Sequence, residues 1–200
     1  MSSRTKIAIL LTFISCGVAF AEDETNAEFF RKYGPHPEIV TSNASALPHN
    51  QVTDLIAKET RNLLGANWVP TMLSIAKVES GYRCNAIGPR LGRKHGGERA
   101  MGVFQVLPSS ARSLGYTGPS SGLLQCDVGV RVGLQHAIMC KNDGVRSAVE
   151  MASCHVSGLA WKYPLHKKSE RYRRKYIRMV RHKQSYNVEG DIAWQETIRN

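Results

Sequence analysis

Residues 69–81, VPTMLSIAKVESG, read as a half-buried helix that closes on an unexpected residue. Pro70 suits a first helical turn, where its missing N–H is not needed. Val69, Met72, Leu73, Ala76 and Val78 then turn inward, and Gly81 is placed to stop the helix just after Glu79. A glutamate belongs poorly in a last turn, because the carbonyl end of a helix repels negative charge. The turn before it, SIAK, is apolar enough to be packed, and burial also disfavours the anion. Glu79 therefore reads as a carboxyl group held near its neutral form for a purpose.

Working outward, the pattern stays helical. Val52, Leu55, Ile56, Leu63 and Leu64 form one stripe ending near Gly65 and Asn67. A short helix is predicted to start at Pro108. Asp127 can cap a longer one running to about Lys141, with Val130, Leu134 and Ile138 at four-residue spacing. Asp143-Gly144 breaks it, another helix follows from Val145 to about Cys154, and a last one spans about 166–183. Residues 85–100, NAIGPRLGRKHGGERA, carry four glycines and a proline without periodicity and read as a loop. Strand alternation is nearly absent, so the fold class is mainly α, with a minor β element allowed. There is no internal repeat and no low-complexity tract.

The chain has 200 residues, the size of one ordinary domain. Arg4 and Lys6 precede an apolar stretch from Ile7 to Phe20, and Ala19-Phe20-Ala21 offers a cleavage site, the layout of a secretory signal peptide over residues 1–21. That stretch falls short of the ~20 residues of a spanning helix. The reading is export to the periplasm, with a lipoprotein anchored through Cys16 in the sequence FISC as the minor alternative. Residues 22–48, broken by Pro35, Pro37 and Pro48, read as a loosely ordered arm, 49–185 as the folded domain and 186–200 as a tail. Without residues 1–21 the net charge falls from +11 to +9. Cys84, Cys126, Cys140 and Cys154 remain, and an even count in an exported chain suggests two disulfides. Spacing does not choose among the three pairings. The favoured one joins Cys140 to Cys154, on successive predicted helices, and leaves Cys84 with Cys126. The cysteine spacings do not suit a zinc site, and no metal or cofactor is expected.

Glu79-Ser80 is followed by GERAMGVFQVLPSSARSLG, residues 97–115, and then by CDVGVRVGLQHA and HVSG. This ordered set, across roughly residues 51–182, resembles the catalytic core of the lytic transglycosylases, enzymes of goose-type lysozyme-like fold that cut bacterial cell-wall glycan. The resemblance implies Glu79 as the catalytic acid, since protonating a glycosidic oxygen needs a neutral carboxyl group. It implies that Gly102 and Gln105 match the family's Gly-x-x-Gln segment, with Pro108 following. Ser80 would bind the sugar or hold the acid's surroundings, and the backbone of Gly102, Val103 and Phe104 would line the glycan strand. Tyr163 and Trp161 could stack on sugar faces, with packing as the plainer role. It also implies a 1,6-anhydro product, formed without water, and so no second carboxylate of the kind a hydrolase uses. Glu98, Asp127 and Glu150 each have an ordinary reading, as a charged loop, a helix cap and a mid-helix residue.

Two departures stand out. The segment between Glu79 and Gln105 is long and basic, with Arg90, Arg93, Lys94 and His95, and is expected beside the cleft. The family's tyrosine near the acid is His155 here, an imidazole able to hydrogen-bond a carboxyl group and to titrate near neutrality. Residues 166–183 hold nine Lys or Arg against one acidic residue. Such a surface suits carboxylate-rich wall peptides or an anionic membrane surface. Nucleic acid is disfavoured by export, and a secretion or surface apparatus is a further expected partner of small family members.

Overall fold

In the computed structural model the residues described are 47–92 and 96–199, with side chains described through Lys183. The signal peptide, Cys16, nearly all of the arm, and Arg93, Lys94 and His95 lie outside the described residues.

The stripe beginning at Val52 folds as α1, His49–Leu63. Val52 and Ile56 are wholly buried, and Leu64 follows them into the core. A single turn, Ala66–Trp68, leads into α2, Val69–Ser80, with a proline at its start and Gly81 in the left-handed conformation at its end. Met72, Ile75 and Ala76 on α2 are completely enclosed. The later helices are α3, Pro108–Ser113, α4, Cys126–Asn142, α5, Ala148–Ser157, and α6, Lys167–Arg199. α2 packs most extensively on α6, which also lies along α5, while α1 crosses α2 and α4. The molecule is thus mainly helical, with one shared core running from Val52 to Val180. Among the described residues no helix is long and apolar enough to cross a membrane.

Several boundaries differ from the sequence reading. Residues 85–100 are not a plain loop: β1, Ile87–Arg90, pairs antiparallel with β2, Arg99–Met101. The register slips between Ile87 and Arg90, a bulge at which Pro89 is tolerated despite lacking a ladder N–H. α5 starts at Ala148, where Ser147 and Glu150 make a reciprocal capping box, so Glu150 is a terminus residue rather than a mid-helix one. Asp127 is not the cap of α4 but sits inside its first turn, buried, and its carboxylate oxygens find no hydrogen-bond partner among the described residues. The backbone of α6 is helical through Arg199, so the boundary placed at residue 186 falls inside a helix.

Both expected disulfides are present, Cys84–Cys126 and Cys140–Cys154, with Cα separations of 4.9 and 6.0 Å. They fit an oxidising compartment. The first ties the segment just beyond α2 to the start of α4; the second joins α4 to α5. By loop-closure entropy, loops of 42 and 14 residues are worth about 4 and 3 kcal/mol. Replacing each pair by serines should lower the midpoint of urea unfolding, more for Cys84/Cys126 than for Cys140/Cys154. Equal midpoints for both variants and the parent would contradict this account.

Candidate functional site

A cleft of about 380 Å³ opens between the end of α2, the hairpin, and helices α4, α5 and α6. Glu79 is its one carboxyl group among the described residues, and Gln105, Phe104 and His155 line it with Glu79. Pro89, Leu91 and Ala100 make the hairpin one wall of this cleft, while Arg90 does not line it and Arg93, Lys94 and His95 lie outside the described residues.

Glu79 is largely sheltered, with its side chain 18% exposed, and its Oε1 lies 3.2 Å from Nε2 of His155. His155, from the last turns of α5, is only 8% exposed and caged by rings. Tyr176 stacks on it at 6.0 Å between centroids and 13° between planes, while Phe104 and His136 meet it edge-on at 6.4 and 5.5 Å. A ring so enclosed has little rotational freedom, and it holds the carboxyl group it touches in one direction. From α6, Tyr176 turns its buried hydroxyl beside the same carboxylate. Burial pushes this phenol well above its usual pKa, and the Glu79 charge adds to the shift. Tyr172, one turn earlier, lines the cleft although 60% exposed; burial first, then Glu79, raises its pKa as well.

The opposite side is a tight turn over residues 101–106, closed by paired hydrogen bonds between Met101 and Val106 of 2.9 and 3.0 Å. Gly102 has φ 78°, and a Cβ there would lie 2.2 Å from the Leu123 carbonyl oxygen, so only glycine fits. Gln105, with φ 50°, is held in the left-handed region that costs a non-glycine residue of order 1 kcal/mol. Its Nε2 donates to the carbonyls of Ala86 and Gly102 at 3.1 and 2.9 Å. Two carbonyl partners identify that end as nitrogen, and Oε1 lies close against Gly88 of the hairpin.

Phe104 reaches α4 where that helix has no side chain. A Cβ on Gly133 would sit 2.2 Å from the Phe104 ring, so the ring lies directly on the helix backbone. Ser80 fastens the turn from the other side: its hydroxyl donates to the carbonyl oxygen of Val103 at 2.9 Å and accepts from the Arg83 N–H at 3.1 Å. Ser80 itself is buried and does not line the cleft.

The other sequence-predicted residues divide clearly. Gly102 and Val103 shape the turn, and Val103 is wholly buried behind the cleft rather than on it. Tyr163 is 65% exposed and outside the cleft, and Trp161 uses its indole N–H on Asp143, so neither is brought to Glu79. Glu98 is taken up by the backbone N–H and hydroxyl of Ser109 at the start of α3. His136, Tyr172 and Tyr176 were missed. His136 stands on the cleft wall, its pKa held down at about 3, chiefly by burial and then by the nearby His155. Among the described residues no group of His, Cys, Asp or Glu is arranged to hold a metal ion.

The cleft thus brings together one sheltered carboxyl group, an imidazole against it, the Gln105 amide and the exposed Tyr172 ring. Comparison of the chain with models of protein families, with curated proteins and with solved structures finds no match.

Gly133→Ala should cost about 1–3 kcal/mol by forcing the Phe104 ring off α4, measurable by urea unfolding. Wild-type stability there would show that the ring does not need the bare backbone. His136 makes a pH prediction. Its folded pKa of about 3 lies below the ordinary 6.5, so the unfolded chain binds the extra proton first. The stability tied to its neutral form is present above pH ~6.5 and drains away as pH falls toward 3. His136→Gln should therefore lose less stability than the parent between pH 7 and pH 4, compared within each protein.

Proposed function

We propose that this chain is a peptidoglycan lytic transglycosylase of lysozyme-like fold that cuts the bond from N-acetylmuramic acid to N-acetylglucosamine and leaves 1,6-anhydro ends. The observation that carries the reading is the meeting of Glu79 and Gln105 in one cleft, in which Glu79 is the single carboxyl group among the described residues. The resemblance of the Glu-Ser, Gly-x-x-Gln and later segments supports it independently. Two disulfides are compatible with work outside the cytoplasm, and the periplasm is the compartment in which such a bacterial enzyme meets its substrate.

In this reading Glu79 first protonates the glycosidic oxygen as the bond to the anomeric carbon breaks. The resulting carboxylate then takes the proton from the 6-hydroxyl of the same muramic acid. That hydroxyl oxygen closes on the anomeric carbon, so one glutamate serves twice and no water enters. Holding the nucleophile within the substrate replaces a second catalytic carboxylate and gives a large effective concentration. His155 keeps Glu79 aimed, since its ring is caged and Nε2 is 3.2 Å from Oε1. Gln105 offers its amide to a sugar hydroxyl or N-acetyl group, and Tyr172, exposed at the cleft edge, is the ring open to a sugar face, while Phe104 lies buried beneath.

Digestion of purified sacculi followed by mass spectrometry tests this directly. The expected products are soluble muropeptides ending in 1,6-anhydromuramic acid, and Glu79→Gln should slow their release by roughly a thousandfold, within the usual range for a general acid. Reducing ends would make the enzyme a hydrolytic muramidase instead. Intact sacculi after treatment with the parent would leave a wall-binding or assembly protein.

A further inference from the structure

α6 turns only one side to the core and cleft. Tyr176 and Val180 are buried and Ile177 packs on the core, while Tyr172 borders the cleft. Its other side lines two grooves that meet at Arg178. One, of about 460 Å³, is bounded by Leu165, Lys167, Glu170, Arg171 and Arg174. The second, of about 610 Å³, lies between α6 and α2, with Lys77, Val78, Lys175 and Met179 on its walls.

Among the described residues the only acidic one lining either groove is Glu170, and its carboxylate is already shared by Arg173 and Arg174. Among the described residues no carboxylate forms an ion pair with Lys167, Arg171, Lys175 or Arg178, and all four are exposed. Lys167, Arg171 and Lys175 succeed one another at four-residue spacing, as do Arg174 and Arg178. Like charges at that spacing repel by a few tenths of a kcal/mol per pair. Glu170 relieves this row only at Arg174, and no described carboxylate pairs with Lys167, Arg171, Lys175 or Arg178. A ligand with several negative groups about one helical turn apart would.

We infer that the joined groove binds the carboxylate-bearing stem peptides that branch from the glycan, so that strands still carrying peptides are preferred to stripped ones. This rests on reading the cleft as one that cuts peptidoglycan. The shape and chemistry favour a peptide over the other polyanions. A helix lying on a lipid surface inserts an apolar face, and the apolar face of α6 is spent on the core. A single-stranded nucleic acid is held by stacking on aromatic rings, and among the described residues no Phe, Tyr or Trp lines either groove. Guanidinium groups instead match carboxylates in planar pairs. One helix thus borders both sites, with Tyr172 on the cleft and Arg171 and Arg174 on the groove beside it.

The test uses the full chain carrying Glu79→Gln, which removes turnover, in cosedimentation with three probes. These are intact sacculi, the same sacculi after an amidase has removed the stem peptides, and phosphatidylglycerol vesicles. Binding should be at least about tenfold tighter to intact than to stripped sacculi. Adding Arg171→Gln, Lys175→Gln and Arg178→Gln should abolish that preference and flatten its salt dependence, with an unchanged thermal midpoint. Lys58→Gln with Arg61→Gln, on the exposed side of α1, should leave it intact. Equal binding to intact and stripped sacculi overturns the inference, as does a triple variant that keeps the preference, or tighter binding to vesicles than to sacculi. The two readings fail separately. Anhydro ends released by the parent without any peptide preference would sink the groove alone. A peptide preference that the triple variant loses, in a protein that cleaves nothing, would sink the proposed reaction alone.

Discussion

Phe104 lying on the bare backbone of α4 at Gly133 is the contact from which the cleft is built. A glycine inside a helix costs about 1 kcal/mol relative to alanine, and here the missing methyl is replaced by a wholly buried aromatic ring. Once the ring is seated, the 101–106 turn has one place to go, and Gln105 is carried into the cleft in a backbone conformation it would not choose by itself. The same ring meets His155 edge-on, so it also helps aim the imidazole that touches Glu79. Ser80 closes the circuit by bonding the end of α2 to the Val103 carbonyl. Acid and amide are therefore positioned by one packed unit, with small local strain supported by burial around it.

Much of this was legible from residue patterns. The apolar stripes of α1 and α2, the stop at Gly81 and the start of α3 at Pro108 follow from helical periodicity and from what glycine and proline do to a backbone. Glu79 stood out because its position contradicts helix electrostatics, and it does lie sheltered in a cleft with Gln105. The hairpin was illegible for a physical reason. Its strands have four and three residues, are largely exposed, and are interrupted by Pro89 at a bulge, so no alternation survives.

Other misses came from tertiary context. His136 reads as an ordinary helical residue; only the packing of α4 against α5 sets it beside His155 and depresses its basicity. Tyr176 falls within the last predicted helix, but nothing in the local sequence says that its hydroxyl stops beside Glu79. Ser147 and Glu150 did carry a signal, the serine and glutamate three apart that open α5, obscured by the apolar Val145 just upstream. Tyr163 and Trp161 were attractive by type and proximity in sequence, yet Tyr163 follows the turn at 158–162 to the outside, and Trp161 packs against the core and pairs with Asp143.

The bond between Cys84 and Cys126 bears on when the cleft comes into being. Cys84 stands five residues beyond Glu79, and Cys126 opens the helix that carries Gly133 and His136. While both sulfurs are reduced, the acid's own turn and the floor on which the aromatic ring rests are joined by weak contacts alone. Oxidation makes that junction covalent, and it falls at the seam of the cleft. A chain kept among thiols would remain a tool with its jaws unpinned.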